Sequence, residues 1–342
     1  MTQRLVDALE SHGAQVAVVG REFSSSVSQV GRFELRKVGA AIRLVAKVWK
    51  AGAPSRADAV VFFATNRSFS FMVDVVLAAV LRARRADVVN YLHTNGWAAL
   101  AARSPLHRRA VRFLLGAARR TVVLGESLAD DARSAGAGGI EVIANSAPMP
   151  DPTKSEAQPR AQVIFLGNLI PDKGFDDYLQ VVRELGPEFT DVEFSLGGAP
   201  SYDGQLEELR ARASQEGLRG LSILGPIDAE QRDLLLSQSR VMVFPSTYAF
   251  EAQPLAIVEA MSYGVPVVAY DVGGIRDLIV DGENGRLVRA GDAAALVAAV
   301  RTLLADAEQQ TAFGEAAKNS FAAAHSPAVF GRAWAEVAGV RA

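Results

Sequence analysis

The stretch Phe244–Val268, FPSTYAFEAQPLAIVEAMSYGVPVV, decides how the rest of the chain is read. Short apolar, β-branched runs at its two ends have the composition of buried strands. Between them lies an apolar, helix-forming segment that carries two glutamates, Glu251 and Glu259, eight residues apart with Pro254 between them. A proline costs a helix nothing at its first position, where the N–H has no intrahelical partner. Pro254 is therefore placed as the first helical residue, with Ala252 or Gln253 at the boundary and Glu251 in the preceding loop. Glu259 then falls roughly 7 Å along the axis, at about 1.5 Å per residue. A helix start offers unpaired amides to an anion such as phosphate. An ionised carboxylate only accepts hydrogen bonds, which suits sugar hydroxyls and not phosphate. The spacing thus puts one hydroxyl acceptor just before an anion site and another about as far beyond it as a ribose lies from its diphosphate. Ile257, Val258, Ala260 and Met261 surround Glu259, which is a poor setting for a merely solvated glutamate.

Outward from this stretch, strand and helix patterns alternate along the chain. Strands are predicted at Ala14–Val19, Asp58–Ala64, Asp87–Leu92, Arg120–Leu124 and Ile140–Ile143, then at QVIFLG, VEFSLGG, LSILG, VMVFP, VPVVAYD and GRLV. Helices lie between them, including SLADDARSAG with Ser127 as its N-cap. Apolar runs without strict alternation mark strands covered on both faces, so the sheets are expected to be parallel and doubly wound. NSAPMPDPTKSEAQPRAQ, residues 145–162, is proline-rich and aperiodic and reads as a linker. Two α/β domains follow, 1–150 and 151–325, facing a cleft at their strands' C-terminal edges, with the helical tail 326–342 free to return to the first. The first domain opens on the helix QRLVDALESHG, without the strand and glycine-rich turn that normally precede such a helix. If an upstream segment carries them, the longer protein is expected to be intact where this chain is weak or unstable.

The 342 residues suffice for two cores, and 49% hydrophobic with 22% charged residues is the balance of a folded globular protein. No run is long and apolar enough for a membrane helix, no signal-peptide core stands at the N-terminus, and a cytoplasmic protein is expected. The absence of cysteine excludes disulfides, thiolate metal sites and cysteine nucleophiles. The net charge of −2 conceals a polarity: residues 1–150 hold 20 Lys+Arg against 11 Asp+Glu, and the remainder 16 against 27. Arg82, Arg84, Arg85, Arg103, Arg108, Arg109, Arg112, Arg119 and Arg120 supply much of the excess. They form either a solvated basic face or a surface for anionic lipid, peripheral to a membrane's inner face. Nucleic acid is disfavoured, because no aromatic residues interleave the cluster in a binding motif.

The Glu-x7-Glu pattern between FPS and GVPVVAYDVGG resembles the signature of retaining family 4 glycosyltransferases, group 1 type, of the two-Rossmann-lobe GT-B architecture. FLGNLIPDKG, SLGG, LGPI, VMVFPS and GGIRDLIVDGENGRLV agree in order and spacing across Gln162 to about Ala305. In the first lobe the likeness rests on VNYLHTNGW, VVLGES and IEVIANSAP.

The resemblance implies that Glu259 binds the ribose hydroxyls of a nucleotide-sugar donor and Glu251 the hydroxyls of the donated sugar. Backbone amides of Ala252, Gln253 and Leu255 face sugar and diphosphate, and Pro254 cannot donate. Gly167, Gly198 and Ile227, from FLGN, SLGG and LGPI, line the donor site, and Lys173 of PDKG neutralises the leaving diphosphate. Asn168 stands where many relatives have a basic residue, and a neutral amide gives a phosphate less than a guanidinium does. His93 matches a cleft histidine that contacts the sugar or acceptor, although a lone histidine is often structural. The glycines of VGG and ENG serve turn geometry or a close approach of ligand to backbone.

The implied reaction moves a hexose from a nucleotide sugar to a hydroxyl acceptor, in cell-envelope glycan or glycolipid synthesis, with no cofactor. No Asp-x-Asp and no histidine-rich ligand cluster occurs, so the helix start and Lys173, rather than a divalent metal, are expected to handle the diphosphate. Two other readings stay open: an epimerase of nucleotide sugars on the same fold, and a nucleotide-sugar-binding protein without catalysis.

Overall fold

The structure is a computed structural model that describes residues 2–20, 35–51, 57–151 and 161–340. The centre of the proline-rich linker, 152–160, lies outside the described residues. By contact the chain divides into two units, Met1–Ala144 with Pro327–Ala342, and Asn145–Ser326. Residues 145–150, placed before the boundary by their composition, belong to the second unit, because buried Asn145 bonds to Gln253 and His325 there.

In the first unit α1 (Thr2–Ser11) and α2 (Leu35–Ala51) precede β1 (Val60–Ala64). There follow α3 (Ser68–Ala83), β2 (Val88–Leu92), α4 (Trp97–Ala102), α5 (Pro105–Leu115), β3 (Arg120–Val123), α6 (Glu126–Ala135) and β4 (Ile140–Val142). The four strands pair in parallel in the order β1-β2-β3-β4. Every residue of β2 is buried, as a central strand covered on both faces requires. The chain's last helix, Pro327–Ala338, packs on α1, and Gly331 brings the two close: a Cβ there would stand 2.8 Å from the His12 ring.

Two expectations fail in this unit. Ala14–Val19 is not a strand: it joins no sheet among the described residues, and Val18 is 60% exposed. In a doubly wound sheet the strand after the first helix pairs with the strand before that helix, and among the described residues no such strand is present to receive it. Ser127 does not cap α6 either. Gly125 is the cap, and its carbonyl accepts from Leu128 and Ala129, leaving Ser127 inside the first turn.

The second unit runs β5 (Gln162–Leu166), α7 (Phe175–Leu185), β6 (Glu193–Gly197), α8 (Gln205–Gln215), β7 (Leu221–Gly225), α9 (Ala229–Ser237) and β8 (Ser239–Phe244). It continues through α10 (Leu255–Ser262), β9 (Val267–Tyr270), β10 (Gly285–Val288), α11 (Ala293–Ala305) and α12 (Ala307–Ala324), ahead of α13, the Pro327–Ala338 helix. Its six strands are parallel in the order β10-β9-β8-β5-β6-β7. Neighbouring residues of each central strand feed opposite cores. Val163 and Phe165 of β5 join α7 and α11 on one face, while Ile164 and Leu166 join α10 and α12 on the other. Burial of each such side chain contributes about 1.5–3 kcal/mol. The same alternation in β8 and β9 explains why the strands read as continuous apolar runs.

Candidate functional site

The strand order reverses between β5 and β8, which are neighbours although two strands, β6 and β7, lie between them in sequence. From β5 the chain passes to α7 on one face, and from β8 to α10 on the other. The two loops therefore part at the C-terminal edge of the sheet and leave a crevice between them, the place where doubly wound sheets bind ligands. The first loop is GNLIPDKG, residues 167–174, and the second PSTYAFEAQP, residues 245–254.

Direct contacts hold these loops together. Thr247 N donates to Asp172 O at 2.8 Å, and Gly174 adopts φ 77° with the Pro245 carbonyl where a Cβ would sit, 1.9 Å away. Only glycine fits both the left-handed backbone and the approach. On the other side Gly273, at φ 55°, lies against the Glu251 carbonyl, and Gly274 N donates to the same oxygen at 3.3 Å. The VGG glycines thus serve a backbone-to-backbone contact that fixes Glu251. Gly285 of ENG similarly faces the Val267 carbonyl, 2.5 Å from where its Cβ would be.

Lys173 ends a short 3₁₀ turn in the first loop and reaches Glu251 in the second, with Nζ 2.5 Å from Oε2. Ser246 Oγ donates to the same carboxylate oxygen at 2.7 Å. The Tyr248 and Phe244 rings lie 5.0 and 5.6 Å from the ammonium, a cation–π setting. Both side chains are largely withdrawn from water, at 16% and 7% exposure, so each depends on the other for charge compensation.

The helix start falls one residue later than the sequence predicts. Pro254 is the N-cap, extended at ψ 122°, and Leu255 begins α10; Ile257 and Val258 donate to the Pro254 carbonyl. No side chain caps this end, which leaves its amide dipoles directed at the crevice edge. Ala252, Gln253 and Pro254 are buried beside Glu251. Gln253 is held by Asn145, whose N donates to Oε1 at 2.5 Å and whose side-chain amide donates to the Gln253 carbonyl at 2.8 Å. His325 Nδ1 lies 2.8 Å from the Asn145 carbonyl, and burial pushes the His325 imidazole pKa down.

Glu259 is 8% exposed, within α10 as the spacing predicts, and its Oε1 lies 3.3 Å from Arg232 Nη1 of α9. Gly167 and Gly198 lie side by side at the ends of β5 and β6, a Cβ on Gly198 meeting the Gly167 carbonyl at 1.8 Å. Ile227, before α9, packs against Gly197. Asn168 is exposed in the first loop. The second unit therefore gathers the predicted residues around one sheet edge.

His93 lies in the first unit, after β2, and is described there by itself. Its ring stacks on Phe63 at 5.1 Å with 12° between planes and touches Tyr91 at 3.8 Å. Burial pushes its pKa down to about 4, so the ring is neutral at ordinary pH. Just beyond it Asp131 accepts from the amides of Gly96, Trp97 and Ala98 at 2.8–2.9 Å and fills the start of α4 with the protein's own carboxylate. Of the basic cluster, Arg119 pairs with Asp87 and donates to Val337 O, and Arg120 pairs with Glu141, so part of its charge is compensated within the protein.

Ser246, Asn145 and Arg232 were missed. Ser246 is next to the quoted strand and hidden by its ordinary chemistry, while Asn145 and Arg232 reach the site over separations of 108 and 27 residues, which no local pattern records.

Residues 151–320 match the family described as glycosyl transferases group 1. Among curated relatives, the chain is 31% identical over 172 residues to the alpha-D-kanosaminyltransferase of Streptomyces kanamyceticus, 48% of this chain and 43% of that one. It is 35% identical over 144 residues to the phosphatidyl-myo-inositol mannosyltransferase of Mycobacterium leprae, 42% of this chain and 37% of the relative. The matched stretch thus spans less than half the length of these relatives. Among solved structures, Anabaena HepE in complex with UDP superposes with a TM-score of 0.70 at 22% identity, covering 87% of this chain and 82% of that one. At that identity the likeness establishes the fold, two α/β parallel-sheet domains of GT-B type.

Proposed function

The chain belongs to the group 1 glycosyltransferases, and from that membership and the site we propose that it is a retaining, metal-independent hexosyltransferase using a nucleotide-sugar donor. The observation that carries this reading is the joining of Lys173, Glu251 and Ser246 beside the uncapped start of α10 at the switch point. In this reading the diphosphate sits at the α10 start, where amide dipoles and the Lys173 ammonium offset its charge as the sugar departs. Donor entry then draws Lys173 toward phosphate and frees the Glu251 carboxylate to accept from sugar hydroxyls. Glu259 accepts from the ribose. Gly167, Gly198 and Ile227 border the nucleoside, and the amides of Ala252, Gln253 and Leu255 face sugar and diphosphate. With no carboxylate assigned as nucleophile, the acceptor hydroxyl attacks on the face the leaving group vacates and passes its proton to the departing phosphate. His93, neutral, contacts sugar or acceptor by hydrogen bonding. The test is product analysis with UDP-, GDP-, ADP- and dTDP-hexoses and hydroxyl acceptors: transfer with the anomeric configuration kept supports the proposal, inversion removes the retaining mode, and isomerisation of the donor sugar favours the epimerase.

The acceptor is read as glycan or lipid-linked, at an anionic membrane surface. The Mycobacterium leprae relative's name specifies a phosphatidyl-inositol, and the first unit exposes apolar residues beside arginines. Met72 and Val76 on α3, Trp49 on α2 and Leu106 on α5 are 49–74% exposed, with Arg82 over the Phe113 ring and Arg84 over Trp49. Cosedimentation with phosphatidylglycerol vesicles, and not with phosphatidylcholine, at low salt is expected; equal failure with both removes the membrane from the account.

A further inference from the structure

We propose that Arg232 is a positioning residue of the nucleoside subsite, holding Glu259 in the orientation that grips the ribose. The inference rests on the reading of Glu259 as the ribose acceptor and extends it to a residue on another helix. Arg232 lies in the first turn of α9, and that turn is fixed at its start. Asp228 Oδ1 accepts from Gln231 N at 2.9 Å, and Gln231 Oε1 accepts from Asp228 N at 3.1 Å. Such a reciprocal cap prevents fraying, so side chains of the turn are projected from defined positions. The guanidinium is tethered as well, with Nη2 and Nε donating to Asp233 Oδ1 at 2.9 and 3.3 Å. What remains of its donor fork is directed at Glu259, Nη1 standing 3.3 Å from Oε1.

Glu259 stands on the second turn of α10, among side chains that are almost entirely apolar and buried. Such a carboxylate is costly to keep ionised without a cation, and an arginine, planar and always charged, suits a partly buried pair better than a lysine. Arg232 keeps 22% exposure at its side chain and Glu259 11%, so the pair sits at the border of the core rather than inside it. Ile227 sits five residues before Arg232, against β6. Around the proposed nucleoside this gives an apolar side chain from the turn before α9 and a cation from α9 itself, both in the unit that carries Glu259. The Arg232–Asp233 contact makes the cation part of the scaffold, and Asp233 also bonds to the Tyr263 hydroxyl, whose pKa burial and that carboxylate push up to about 12.

The test is calorimetric titration of UDP, GDP, ADP and inorganic pyrophosphate into the full chain, as wild type, Arg232→Ala, Arg232→Lys and Glu259→Ala, with melting temperatures taken in parallel. Arg232→Ala is expected to weaken the preferred nucleoside diphosphate roughly 10-fold or more, the scale of a lost hydrogen bond to a charged group, and to leave pyrophosphate within about 2-fold. Arg232→Lys recovers part of the loss. Unchanged or tighter binding in Arg232→Ala overturns the inference, the latter showing the pair to be a brake. Equal weakening of pyrophosphate overturns it too, since only the fold would then be affected. Should Arg232→Ala melt below the working temperature, Arg232→Lys decides: nucleoside diphosphate affinity reduced with pyrophosphate held supports the inference, and no change opposes it. A loss in Glu259→Ala without one in Arg232→Ala sinks this inference alone. No loss in Glu259→Ala, or no nucleotide bound by the wild type, sinks the ribose assignment beneath it.

Discussion

Lys173 and Glu251, 78 residues apart in sequence, form an ion pair of 2.5 Å across the two loops that part at the switch point of the second sheet. The sequence assigns them to different parts of one ligand, the lysine to a diphosphate and the glutamate to a sugar. In the structure they satisfy each other, and Ser246 completes the carboxylate. Charges this far from water must be compensated at all times, so under the proposed function a donor entering the site would exchange partners within it and would not fill a set of idle groups.

Lys173→Met is therefore expected to act twice. Leaving Glu251 without its cation costs about 3 kcal/mol of stability, and losing charge compensation on the leaving group lowers turnover about 10²–10³-fold. The double variant Lys173→Met/Glu251→Gln should recover most of the stability and none of the turnover. Urea unfolding beside steady-state rates checks both; recovered turnover in the double variant would contradict the role given to Lys173.

Gly174→Ala must move the Pro245 carbonyl, which lies 1.9 Å from the new Cβ, and must also place an alanine at φ 77°. A loss of about 2–4 kcal/mol is expected from the strained backbone and the clash. Since the two loops share this contact, donor affinity should fall with it. Wild-type stability in chemical denaturation would contradict the loop geometry.

The second sheet was legible in the sequence because its central strands are buried on both faces, and residues such as Val163 to Leu166 carry that burial as an unbroken apolar run. Pro254 marked the start of α10 to within one residue, through the one property proline has at a helix start. Ala14–Val19 misled because β composition announces a strand but not a partner, and pairing is a property of the whole sheet. Arg232 on α9 and Asn145 before β5 were invisible for the same reason: their meaning is the distance to Glu259 and Gln253, which the fold supplies.

His93 gives a pH signature. Its folded pKa, about 4, is below the ordinary 6.5, so the unfolded chain binds the extra proton first. Its contribution is present in full above about pH 6.5 and is lost as pH falls through 4. A pKa unit corresponds to about 1.4 kcal/mol, and the ring's partial exposure reduces the total to roughly 1–3 kcal/mol. His93→Gln should flatten the fall in stability between pH 6.5 and 4; an unaltered profile would show that the histidine is not held neutral by burial.

With the diphosphate assigned to Lys173 and the α10 start, transfer should proceed at full rate in excess EDTA. Turnover that vanishes with EDTA and returns with Mg²⁺ or Mn²⁺ would reassign the charge compensation to a metal.

The central claim, that α10 presents Glu259 to the ribose of a nucleotide sugar, is tested most directly by calorimetry of UDP-, GDP-, ADP- and dTDP-hexoses on the wild type and Glu259→Ala. The account predicts that one of these donors binds the wild type and that the variant loses at least about 10-fold in affinity, the scale of hydrogen bonds to a charged acceptor. Equal affinity in the two proteins, or no donor bound by either, would contradict it.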